Sequence, residues 1–266
     1  MTHPFDEALQ LQRLDEHTLQ GQTSPVYDNM VGPFGGILAA TMLHALQQET
    51  QSQGEPVSVN VNYAGPVAAT PFEIRTQCLR SNRSTTHAQA QLIQDGQVAV
   101  YASAVFARRH ETWTAQEQAR PEVPAAAQCP RQRLDVGPRW LGAYDMRFIE
   151  GELKLDGQPR EDTSSLLWVR DEPPRALDFA ALLAMSDIFF PRSFIRQQQL
   201  GIAGTIALST HFHATAETLA RTGSQHLLAR ARGQGFRRGY FDQSAQLWNA
   251  DGELLASSLQ SVYYKG

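Results

Sequence analysis

The sequence is short of the residues that many chemistries require. Two cysteines, Cys78 and Cys129, in 266 residues cannot make a disulfide framework, so a reduced, cytoplasmic setting is expected. Asp6, Glu7, Asp15 and Glu16 fall where a secretory leader would carry its apolar segment, and none is expected here. The longest apolar run, Gly35 to Leu46, is broken by Thr41 and His44 and falls short of the roughly 18 residues of a membrane span. Neither charge sign dominates, with 23 basic and 27 acidic residues, which predicts neither a nucleic acid nor an anionic membrane as partner. There is no Gly-x-Ser-x-Gly elbow and no nucleotide-binding glycine loop, so nothing supports an elbow-serine hydrolase or an ATP or NAD enzyme. His211 and His213 have no Cys, Asp or Glu at ligand spacing, and no metal or other cofactor is expected.

What the chain does have is repetition. Phe34-Gly35-Gly36-Ile37-Leu38-Ala39 is echoed by Phe179-Ala180-Ala181-Leu182-Leu183-Ala184, and Ala90-Gln91-Leu92 before Asp95-Gly96 is echoed by Ala245-Gln246-Leu247 before Asp251-Gly252. Two copies of one structural unit follow. We divide the chain into a first unit at 1–110, a Pro- and Ala-rich linker at 111–139 and a second unit at 140–266. In each unit a strand or short segment precedes an apolar helix, and alternating strands follow it. The helices are expected to start at Gly35 and at Phe179, the second capped by Asp178 and running to Phe190 before Pro191. A curved antiparallel sheet wrapped round one buried helix, twice over, is an α+β double hotdog arrangement.

Polar residues present in one copy alone mark candidate chemistry. The repeat places Asp187 opposite Met42 and Gln260 opposite Ala104. Asp187, read as part of the second helix, is either a general base that polarises water or a structural carboxylate bonded to a loop. Gln260 shares a strand face with Leu254, Ala256, Val262 and Tyr264, the face toward the helix, and needs partners there. Strict alternation sets Thr205 with Ala207, Ser209 and His211, opposite the apolar face of Ile206, Leu208, Thr210 and Phe212. Gly35 and Gly36 leave helix-start N–H groups uncovered, suited either to a developing oxyanion or to close helix packing. Arg192, Arg196 and Arg237-Arg238 are candidate phosphate contacts, with solvated surface positions as the plain alternative.

Four segments carry a family resemblance: Val31-Gly32-Pro33-Phe34-Gly35-Gly36, Ala184-Met185-Ser186-Asp187, Thr205-Ile206 leading to Phe212-His213, and Leu255-Ala256-Ser257-Ser258-Leu259-Gln260. With these the chain resembles the TesB-type acyl-CoA thioesterases of the double hotdog kind, in the thioesterase-like superfamily, over nearly its whole length. The resemblance implies hydrolysis of an acyl-CoA by water that Asp187, Thr205 and Gln260 orient and activate, with Gly35 and Gly36 at the substrate carbonyl. It also implies a homodimer or larger homo-oligomer. The chain departs from better studied bacterial members at Ala207, Leu208 and His211, where they carry an acidic residue, a histidine and an aromatic. A non-catalytic acyl-CoA binding protein and a hotdog hydratase of enoyl or hydroxyacyl thioesters are the competing readings.

Overall fold

The computed structural model describes residues 2–50, 54–132 and 137–265. The first half contains α1 (Pro4–Ala8), β1 (Gln12–Arg13), β2 (Thr18–Gln22), α2 (Gly35–Glu49), β3 (Glu55–Tyr63), β4 (Pro71–Ser81), β5 (Thr85–Gln94) and β6 (Gln97–Ala107). The second contains β7 (Tyr144–Glu150), β8 (Ser165–Asp171), α3 (Phe179–Met185), α4 (Arg192–Gln197), β9 (Ile202–Phe212), α5 (Ala216–Thr222), β10 (Leu227–Arg232), β11 (Phe236–Arg237), β12 (Tyr240–Trp248) and β13 (Leu254–Lys265).

The strands pair antiparallel in the order β1-β2-β4-β5-β6-β3-β9-β13-β12-β10-β8-β7, with β11 attached to β12. The first strand after each buried central helix, β3 after α2 and β9 after α3, stands at the centre, and these two join the halves into one sheet through pairs such as Asn60 with Ser209. The double hotdog is therefore continuous across its middle. Alternation explains which side carries the core: along β13, Ala256, Ser258, Gln260 and Val262 are buried while Leu259 and Ser261 are exposed.

Both central helices are submerged in that core. α2 buries Gly36 through Leu43 without a break, and every residue of α3 is buried, as expected of helices apolar almost all round. The helices run antiparallel. Gly36, at the start of α2, lies against the Ala184 carbonyl near the end of α3, and a Cβ on Gly36 would stand 2.6 Å from that oxygen. His44 and Gln47, late in α2, share a cleft with Phe179 and Ala180 at the start of α3. Asp178 caps α3 as expected, accepting the Ala181 N–H at 2.8 Å.

The segment between the halves lies on the outer face of the second one. Trp168 donates its indole N–H to the Pro124 carbonyl at 2.9 Å, and Trp248 donates to that of Gln118 at 3.2 Å. Arg120 stands over the Trp168 ring. This cover explains why β8 is buried on both faces.

Three differences from the sequence reading concern local geometry. The second helix stops at Met185 rather than Phe190, because Ser186 satisfies the last turn. Its hydroxyl donates to the Leu183 carbonyl at 2.7 Å, and the Asp187 N–H closes a short turn onto Ala184 at 3.1 Å. Asp187 thus sits in the turn that follows the helix and not within it. A separate short helix, α4, begins after Pro191. Finally, α1 and α5 are helices of five and seven residues that the broad periodicity did not resolve.

Candidate active site

The antiparallel pairing of α2 and α3 puts the end of one helix against the start of the other, and Asp187 stands at that junction. It is 9 % exposed. Burial pushes its pKa up to about 7, against the smaller pull of hydrogen bonding from the Gln260 side chain and then the Gly36 N–H, which favour the ionised form. The positive end of α2 favours the ionised form further. A carboxyl so poised is half ionised near neutral pH, which suits a group that must take a proton and release it again.

Gln260 comes from the inner face of β13, where Leu208 of β9 and Gln243 of β12 flank it in register. Thr205 donates its hydroxyl to Gln260 Oε1 at 3.1 Å. That bond fixes the amide so that Nε2 faces the Ser186–Asp187 turn, with the Ser186 carbonyl at 3.5 Å. Simple alternation had pointed Thr205 outward, and the structure corrects this. The pairing of β13 with β9 jumps from Ser261 with Ala207 to Val262 with Thr205. Ile206 is the extra residue of a β-bulge and is 41 % exposed. The bulge reverses the facing of every residue before it, and Thr205 turns in toward Gln260.

Asp187, Thr205 and Gln260 are thus brought together, and Gly35 and Gly36 join them. A Cβ on Gly35 would lie 2.7 Å from Asp187 Oδ2, so the carboxylate occupies space that only glycine leaves free. Tyr63, which the sequence reading left among ordinary strand residues, closes the other side. Its hydroxyl donates to the Gly35 carbonyl at 2.8 Å, and burial, then the Asp187 charge, hold its pKa well above the usual phenol range. The only advance signal was its position as the last inward residue of β3. Behind Asp187, the Ser186 hydroxyl meets that of Thr210 at 3.2 Å, and Ser258 Oγ lies 3.5 Å from the Ser186 carbonyl. The first half supplies the helix start and Tyr63, and the second supplies the carboxylate, amide and hydroxyl. The positions that the repeat sets opposite Asp187 and Gln260 are Met42 and Ala104, both buried apolar residues.

A second buried polar cluster lies near this one. Asp171, at the end of β8, is 1 % exposed; among the described residues neither of its carboxyl oxygens has a hydrogen-bond partner, and the same holds for the hydroxyls of Tyr27 and Tyr144. Burial pushes Asp171 up to about 7 as well. Arg192, read as a candidate phosphate contact, is fully buried. It donates to the carbonyls of Thr163 and Phe190 and to the Ser165 hydroxyl, a structural placement that leaves its guanidinium facing protein.

Comparison with known proteins identifies the family and the fold. Residues 24–107 match the family model of the acyl-CoA thioesterase N-terminal domain, and residues 114–264 match that of the acyl-CoA thioesterase C-terminal domain. A protein of unknown function with a hot dog fold from Alicyclobacillus acidocaldarius is 41% identical over 100% of this chain and 99% of its own, with a TM-score of 0.95. The tesB protein of Mycobacterium avium subs paratuberculosis superposes with a TM-score of 0.80 at 19% identity, covering 98% of each chain. An acyl-CoA thioesterase II of Mycobacterium marinum does so with a TM-score of 0.78 at 18% identity, again covering 98% of each. At such identities these last two speak for the shared fold. No curated protein matches the sequence. With both halves matched in order, the chain belongs to the acyl-CoA thioesterase family and is a thioester hydrolase of double hotdog fold.

Proposed function

We propose that Asp187 is the general base of acyl-CoA hydrolysis, with Gln260 and Thr205 holding it and the attacking water in line. The observation that carries this reading is the Thr205–Gln260 hydrogen bond held against the Ser186–Asp187 turn, beside a buried carboxyl whose pKa is raised to about 7. The water oxygen bonds to the thioester carbonyl carbon while its proton passes to Asp187. The carbonyl oxygen gathers charge beside the N–H groups at Gly35 and Gly36, the latter shared with the Asp187 carboxylate. Collapse of the tetrahedral intermediate breaks the C–S bond, CoA leaves as thiolate and is protonated by solvent, and Asp187 returns its proton to water. No covalent enzyme intermediate and no cofactor enter the scheme.

The pH dependence tests it. A base must be ionised, so kcat/KM is expected to be level above pH 7 and to fall about tenfold per pH unit well below it. Because the Gln260 bond lowers the Asp187 pKa, Gln260→Leu should move that acid limb to higher pH as well as reduce the plateau. A limb that stays put in Gln260→Leu would remove Gln260 from the site. Thr205→Val is expected to weaken turnover by less, since it frees the Gln260 amide without deleting it.

We place this activity in the cytoplasm and in lipid metabolism, on a fatty or other acyl-CoA. The free thiols of Cys78 and Cys129 support a reducing setting. A homodimer or larger homo-oligomer is proposed, supported by apolar side chains exposed on the outer sheet face, Leu259 at 51% and Tyr101 at 45%. Sedimentation velocity decides the assembly, and a monomer at micromolar concentration would refute it.

A further inference from the structure

The hydroxyl of Tyr63 is a polar group that the second half does not repeat. Tyr63 is the last inward residue of β3, and Phe212 is the last of β9. Strand pairing makes the two equivalent. Tyr63 pairs with Val100 and Phe212 with Ala256, which stand four residues before Ala104 and Gln260, the positions that the repeat sets opposite each other. Phe212 packs edge to face on Phe179 at the start of α3, with ring centroids 5.5 Å apart. Tyr63 likewise reaches the start of α2, and its added oxygen donates to the Gly35 carbonyl at 2.8 Å. Asp187, Gln260 and Tyr63 thus each stand opposite an apolar counterpart, and all three belong to the same one of the two helix junctions.

The atom that Tyr63 bonds gives the hydroxyl its consequence. The Gly35 carbonyl and the Gly36 N–H belong to one planar peptide group. A donor on the oxygen draws electron density from the nitrogen and makes its N–H a stronger donor, as linked hydrogen bonds polarise one another. That N–H lies in the first turn of α2, where no intrahelical acceptor exists, and no side chain of the N-cap residue Phe34 bonds there. Its counterpart in α3, the Ala181 N–H, is taken by Asp178, the cap of that helix, at 2.8 Å. At α2 the carboxylate comes from Asp187 instead. Asp187 Oδ2 and the Tyr63 hydroxyl lie 2.7 and 3.5 Å from the point where a Cβ on Gly35 would stand, so both converge on this one peptide. Burial, then the Asp187 charge, hold the Tyr63 pKa well above the usual phenol range, and the hydroxyl therefore remains a donor.

We propose that Tyr63 is a positioning residue for the catalytic base: its hydroxyl fixes and polarises the Gly35–Gly36 peptide, whose N–H then holds the Asp187 carboxylate in place for the attacking water. The proposal rests on Asp187 being that base. Tyr63 keeps its own proton throughout and acts only through the peptide.

Tyr63→Phe removes the oxygen and keeps the ring, which the second half already accommodates in Phe212, so the fold is expected to stand. In acyl-CoA hydrolysis kcat should fall about tenfold, the worth of one hydrogen bond, with KM nearly unchanged. The Gly36 N–H favours the ionised form of Asp187, so a weaker N–H raises the Asp187 pKa, and the acid limb of kcat/KM should move to higher pH. Among the described residues the titratable groups that feel the Asp187 charge are Tyr63 on β3 and Tyr144 on β7, phenols held protonated far above that limb. Asp171, beside Tyr144, titrates alike in both proteins. An unchanged kcat, or an acid limb that keeps its wild-type position whatever the melting temperature does, would overturn the proposal, because a merely structural tyrosine alters stability alone. Should wild type release no thiol from any acyl-CoA, the base reading fails separately. The Gly36 amide resonance in ¹H–¹⁵N spectra then still decides the link through the peptide. Its pH midpoint, set by Asp187, should be higher in Tyr63→Phe than in wild type, and equal midpoints would refute that link.

Discussion

Asp187→Asn is expected to lower kcat/KM by roughly 10²–10⁴-fold, the usual worth of a general base, and at the same time to make the protein more stable at pH 8. The two effects have one cause. The Asp187 carboxyl is raised from 3.8 to about 7 by burial, so the folded state holds its proton more tightly than the unfolded chain does. Below pH 4 both states are protonated there, and the group costs nothing. Between pH 4 and 7 the unfolded chain loses the proton first, and stability falls as pH rises. Above pH 7 both states are ionised, and the full penalty, at most on the order of 4 kcal/mol for a shift of about three units, remains. Asn carries no charge to bury. Urea denaturation of wild type and variant should therefore agree near pH 4 and diverge to a variant advantage of a few kcal/mol at pH 8. Equal stability at both pH values would mean that the carboxyl is not raised. The Asp171 carboxyl titrates in the same window in both proteins and cancels from the comparison.

Adjacent glycines should fail in different ways. In Gly35→Ala the new methyl carbon falls 2.7 Å from Asp187 Oδ2. A carboxylate oxygen can swing aside, so the fold survives, yet the base is displaced, and turnover should drop about 10²-fold for a shift approaching 1 Å. In Gly36→Ala the methyl meets the Ala184 carbonyl at 2.6 Å and the Phe34 ring at 2.5 Å. A backbone oxygen at a helix contact has nowhere to go, so α2 and α3 must part, at a cost of about 1–3 kcal/mol. Circular dichroism melts alongside thiol-release assays separate the two: Gly35→Ala keeps its melting temperature and loses activity, while Gly36→Ala loses melting temperature. Identical losses in both assays for both variants would refute the distinction.

The double hotdog and the identity of its polar residues were legible because both rest on pattern. The repeat aligns Phe34 with Phe179, and it exposes Asp187 and Gln260 as polar exceptions to Met42 and Ala104. What was hidden depends on single residues that break a period. Ile206 is an apolar residue that sits outside as a bulge, and nothing in the order Gly204-Thr205-Ile206-Ala207 announces that alternation restarts there. Ser186 ends α3 early by bonding the Leu183 carbonyl, while the apolar residues Ile188, Phe189 and Phe190 prolong the helical appearance beyond it. Tyr63 joins the site through a contact 28 residues away with Gly35, which no local pattern encodes. Arg192 looked like a surface cation because its partners, Thr163, Ser165 and Phe190, include two that are distant in sequence.

The measurement that tests the central claim most directly is free thiol release from short, medium, long and aromatic acyl-CoAs by wild type, Asp187→Ala and Gln260→Ala, with folding of each checked by circular dichroism. The account predicts turnover of at least one acyl class by wild type and its loss in both folded variants. Turnover that is indifferent to Asp187, in a variant that remains folded, would contradict it.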